Sequence, residues 1–115
     1  MTLPNRDEAV VPEDKITLYL LNTTHPKGRS KAKFFQQFGF SMAQWEQLAD
    51  ALLSHAQLYD VVKTEQTPFD IPYVIEGELD TPIERQPQVR VVWFIANDST
   101  IPHLVTAYPL EKSND

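Results

Sequence analysis

The stretch that constrains the fold most is Val89 to Ala96, in which VVWFIA is apolar at consecutive positions. A strand apolar on both faces belongs in the centre of a sheet, so it demands neighbours on either side. The flanking sequence supplies them. Tyr73, Ile75, Gly77 and Leu79 alternate with Val74, Glu76 and Glu78, which is the period of a half-buried strand. Tyr59–Lys63 and Leu104–Tyr108 read as two shorter strands. Turns are expected at Thr67-Pro68-Phe69-Asp70 and at Asn97–Thr100, with a proline-containing loop over 80–88. Connections this short join antiparallel neighbours, so the four strands form a meander.

Before Leu58 the apolar period is that of a helix. Residues 1–11 read as an exposed lead-in, and Pro12 with Glu13 and Asp14 as a helix start. Ile16, Tyr19 and Leu20 line one face of this first helix, which runs through Leu21 until Asn22–Gly28 breaks it. Ser30 is expected to cap a second helix from Lys31, with Phe34, Phe35 and Phe38 on its buried stripe and Gly39 ending it. Ser41 and Gln44 form a capping-box pattern that opens a third helix, Met42 to about Ala56. Trp45, Leu48, Ala49, Leu52, Leu53 and Ala56 make its buried stripe, with His55 at the solvent edge. The expected architecture is α+β: about three N-terminal helices, then a four-stranded antiparallel sheet. It forms one domain over 1–115 with an ordered core of about 12–110. The helices cover one sheet face and leave the other for solvent or a ligand.

Composition excludes several chemistries. The 115 residues contain no cysteine, and His25, His55 and His103 lack metal-ligand spacing, so no metal site is expected. No glycine-rich phosphate loop or G-x-S-x-G elbow is present, and no cofactor is implied. The N-terminus has no apolar signal region, and no run approaches the roughly 20 residues of a membrane span. The cytoplasm is the default location and no membrane partner is expected.

The charge distribution is uneven. Lys27, Arg29, Lys31 and Lys33 lie in Asn22–Phe35 with His25 and no carboxylate. The chain carries −6, so setting aside this +4 island leaves −10 on the remainder. An acidic protein with such an island has either a local anion site or a loop docked on its own acidic surface. For the anion site, Lys27, Gly28, Arg29 and Ser30 are the candidate phosphate-binding residues. Gly28 would admit close backbone approach, and the helix start would offer free N–H groups. Lysine early in a helix opposes the dipole and is locally unfavourable, and the alternative is a solvated helix face with Lys27 and Arg29 neutralised by neighbouring acids. On the sheet, Arg90 alternates with Val89 and Val91 and must reach solvent, an acid or a ligand. Arg90, Thr106 and Tyr108 could line the open face together. The alternative is ordinary cross-strand pairing. Trp93 and Tyr73 read as core.

EDKITLYLLNTTHPKGRSKAKFFQQFGF together with VRVVWFIANDSTIPHLVTAYP resembles a bacterial domain-of-unknown-function family. The matching positions include Lys15, Tyr19, Asn22, His25, Pro26, Gly28, Ser30, Lys31, Phe34, Phe35, Gly39, Arg90, Trp93, Thr106 and Tyr108. Similar domains occur alone, notably in cyanobacteria, and as C-terminal modules of polymorphic toxins. The resemblance implies a metal-independent, ribonuclease-like toxin fold with an RNA substrate and a small antidote or other protein partner. Two positions depart from the toxin pattern. Phe69-Asp70 stands where those modules have a glycine, and His103 where they have an arginine, which removes a charge from the RNA-facing side.

On this reading His25 takes the proton of the ribose 2′-hydroxyl, and Lys31, Arg29 and Arg90 stabilise charge on the phosphoryl oxygens. Thr106 and Tyr108 position the phosphate or protonate the leaving oxygen. The competing reading is a non-enzymatic interaction or regulatory module whose basic island docks on an acidic protein.

Overall fold

The computed structural model describes residues 1–110. A 3₁₀ turn (Arg6–Glu8) precedes α1 (Glu13–Lys15), which passes directly into a π-helical turn (Ile16–Leu20). Then follow α2 (Arg29–Gln37), α3 (Trp45–Leu58), β1 (Val61–Thr64), β2 (Asp70–Glu78), β3 (Gln88–Ala96) and β4 (His103–Pro109). The strands form one antiparallel sheet in the order β1-β2-β3-β4. The expected α+β architecture and meander are therefore the observed ones.

Alternation sorts the two faces of the sheet. Tyr73, Ile75, Leu79, Val89, Val91, Trp93, Leu104 and Ala107 are buried beneath the helices. They pack with Ile16, Leu20, Phe35, Leu48 and Leu52 into one apolar cluster. Gly77 belongs to this inner face because a Cβ there would meet the Tyr59 ring at 2.6 Å. Pro72, Val74, Glu76, Arg90, Val92 and Phe94 point the other way and are half-buried. A register shift between Val92 and Trp93 leaves Thr106 opposite Val92 and Tyr108 opposite Arg90.

Four expectations need correction. Residues 1–11 are structural: Leu3 is buried, Val61 N–H donates to the Met1 carbonyl (2.7 Å), and Val10 bridges β4. Leu3 fills the core and Val10 lies at the edge of β4. Ser30 does not cap α2, which starts at Arg29, two residues before the expected Lys31, with Gly28 at its N-cap. The Ser41 hydroxyl does accept from Gln44 N–H (3.3 Å), but this makes a turn and α3 begins at Trp45. Finally, His55 is buried, 1% exposed, with Nε2 against the Gly77 carbonyl at 3.2 Å. The third helix is flanked more widely than its apolar stripe indicates, because β2 covers the position beside it. Gly39 ends the second helix as expected, at φ 94°.

Candidate functional site at the junction of helix and sheet

The site is organised around Tyr19. Leu21 N–H donates to the Ile16 carbonyl (2.8 Å), an i→i+5 bond that widens the helix by one residue. Ile16 and Leu20 then face the core while Tyr19 lies half-buried toward β4, where its hydroxyl meets Thr106 Oγ1 at 3.0 Å. Gly28 packs against this tyrosine. A Cβ there would sit 2.3 Å from the Tyr19 carbonyl oxygen and 2.9 Å from its ring. The glycine expected to admit a ligand thus admits the first helix instead.

His25 shapes the same turn. Its Nδ1 accepts from the backbone N–H groups of Lys27 and Gly28, both at 3.0 Å, and its carbonyl accepts from Arg29 N–H at 3.0 Å. The backbone N–H groups of Lys27, Gly28 and Arg29, three of the candidate phosphate-binding residues, are therefore satisfied within the chain. With Nδ1 an acceptor, the neutral ring carries its proton on Nε2. The ring meets Tyr19 edge-on, 5.1 Å between centroids.

Lys31 brings the cation. Its Nζ lies 5.5 Å from the Tyr19 ring centroid and 5.9 Å from that of Tyr108, and donates to the Lys27 carbonyl at 3.2 Å. Lys15 Nζ also lies near Tyr19, 5.8 Å from its ring centroid. The electron-rich ring faces hold an ammonium in place without neutralising it. Among the described residues the only ion pair is Arg90–Glu76, so Lys27, Arg29, Lys31 and Lys33 make none. Lys27, Arg29, Ser30 and Lys33 stand exposed around the half-buried Lys31.

Arg90 has both a carboxylate and a phenol. Its Nε and Nη2 donate to Glu76 Oε2 at 2.7 and 2.5 Å, and Nη1 donates to the Tyr108 hydroxyl at 3.3 Å. The guanidinium also lies 5.8 Å from the Tyr108 ring. The Tyr108 and Glu76 bonds hold its pKa above the ordinary arginine value. Glu76, Arg90 and Tyr108 form one row across β2, β3 and β4. Shallow depressions flank Tyr108: one lined by Ser30, Lys31 and Pro109, another by Arg90, Pro109 and Leu110.

The structure thus brings together Lys31, Arg90, Thr106 and Tyr108, with His25 and Gly28 behind Tyr19. His103 stands apart near Phe94, its Nδ1 at 3.2 Å from the Ile101 carbonyl. Sequence reading gave Tyr19 to the core stripe and Glu76 to a solvated face. Opposite charges on outward positions of neighbouring strands were the available signal for Glu76. Among the described residues, no three carboxylate, histidine or cysteine side chains gather as a metal would need. No helix among them is long and apolar enough to cross a membrane.

Residues 2–111 match the family described as Domain of unknown function (DUF6883), and the chain belongs to that family. No curated protein matches it. Its fold is similar to a chain in the "Contact-dependent growth inhibition toxin - immunity protein complex from Klebsiella pneumoniae 342", with a TM-score of 0.69 and 14% identity. The similarity covers 92% of this chain and 97% of that one, and at this identity it speaks for the fold alone.

Proposed function

We propose that this DUF6883 domain is a toxin-like ribonuclease that grips the RNA phosphodiester backbone between Lys31, Tyr108 and Arg90. One observation carries the reading. The chain has 16 carboxylates, yet among the described residues none comes within ion-pair distance of the basic island. A loop docked on its own acidic surface would have paired these cations. Lys31 is instead held over two phenol rings, half-buried and without a counter-ion, which is the state of a cation awaiting an external anion.

The chemistry follows from the donors. Attack of a ribose 2′-oxygen on the adjacent phosphorus gathers negative charge on the non-bridging oxygens. Lys31 and Arg90 stabilise it, with the Tyr108 hydroxyl beside them for the leaving oxygen. Exposed Lys27 and Arg29 would hold flanking phosphates. Thr106 acts through Tyr19, whose hydroxyl it fixes, and His25 acts by holding the turn from which α2 starts. The products are a 2′,3′-cyclic phosphate and a 5′-hydroxyl. An acidic antidote protein covering the same basic face is the partner this reading implies. The presence of a similarly folded chain in a toxin–immunity complex supports that partnership.

The test is cleavage of RNA by purified protein in EDTA, beside Lys31→Ala. Metal-free cleavage reduced on the order of 100-fold or more in the variant, with unchanged thermal stability, is the expected result. A folded wild-type protein that binds acidic proteins and leaves RNA intact would instead favour the interaction module.

A further inference from the structure

We infer that Glu76 is the general base of this site, an inference that rests on the proposed ribonuclease activity. The reaction needs an acceptor for the 2′-hydroxyl proton, and the groups around Lys31 are donors or committed. His25 Nδ1 already receives two backbone N–H groups. His103 pairs with Phe94, four residues along β3 from Arg90, which is about 13 Å at strand spacing. Glu76 is the carboxylate on the row itself.

Its geometry suits the task. Both Arg90 bonds end on Oε2, and Oε1 makes no hydrogen bond among the described residues. Arg90 therefore fixes the carboxylate while one oxygen stays available. The Tyr108 hydroxyl accepts from the same guanidinium at 3.3 Å, so a phosphodiester can lie over Arg90 with the carboxylate on one side and the phenol on the other. Beside Glu76 is a depression of about 310 Å³ whose wall includes Pro72, Val74 and Thr64. A ribose and its base can rest on that partly apolar surface.

In the step itself, Glu76 Oε1 takes the 2′-hydroxyl proton as the 2′-oxygen bonds to phosphorus. The bond from phosphorus to the 5′-oxygen breaks, and that oxygen takes the Tyr108 phenol proton. Solvent then reprotonates Tyr108 and removes the proton from Glu76.

Glu76→Gln keeps size and an acceptor for Arg90 but removes the base. Expected is a kcat loss on the order of 100-fold or more with KM for RNA nearly unchanged. A substrate with sulfur as the 5′-bridging atom, which leaves without a proton, should not restore Glu76→Gln but should restore Tyr108→Phe. Glu76→Asp, which retains a carboxylate, should recover part of the rate. The inference is overturned if Glu76→Gln cleaves at nearly the wild-type rate, if its loss appears in KM, or if sulfur restores it. A wild-type protein that never cleaves RNA would remove the ribonuclease reading itself, an outcome distinct from those three.

Discussion

The two faces of the sheet are made by the same strands and follow opposite rules. On the inner face Val89, Val91 and Trp93 are fully buried and contact apolar neighbours on every side. One step along the strand, Arg90 is held by one acid and one phenol and remains partly open. The inner face is selected for volume, since cores are close-packed and feel small changes. The outer face is selected for charge placed in a fixed direction. Damage to the first should appear as lost stability, and damage to the second as lost activity with stability retained.

Trp93→Ala is the strongest way to break the inner face. Removing the largest fully buried side chain should cost about 3–5 kcal/mol, read as a lower urea midpoint. Gly28→Ala tests where the faces meet, because the new methyl must displace the Tyr19 carbonyl. Overpacking of this kind costs about 1–3 kcal/mol, and cleavage should fall with it as Tyr19 moves. If Gly28→Ala lowered stability alone, Tyr19 would have no part in placing Lys31.

The smallest effect is one of pH. Burial lowers the pKa of His55 from its usual 6.5, and the bond to the Gly77 carbonyl only partly opposes this. The unfolded chain therefore binds the proton more readily than the folded one. Stability should be full above about pH 6.5 and should decline as pH falls from there toward the lower folded value. His55→Leu should remove that component of the acid slope in urea titrations at several pH values, whereas Lys31→Ala should leave it intact.

The sheet was legible in the sequence because alternation over Tyr73–Leu79 and continuity over Val89–Ala96 are strong local patterns. The N-terminal segment was not: Met1 and Val10 gain their roles only by meeting β1 and β4, far away in the chain. The same distinction holds at the site. Clustered charge identified Lys31, and the isolated cation on a strand identified Arg90. Tyr19 and Glu76 escaped notice because their roles depend on a π turn and on strand register, which are tertiary outcomes. His25 was found as a residue but its role changed, because the direction of its Nδ1 is set by the turn that it closes.

The most direct test is an NMR titration of the protein with a short oligonucleotide carrying 2′-deoxy sugars, which binds without being cleaved. Expected are shifts at Lys31, Arg90, Thr106 and Tyr108, weakened by salt, with the Phe69 turn unmoved. Shifts confined to that turn or to the open edge of β1, or no shifts with a strand that is long enough to bind, would contradict this site.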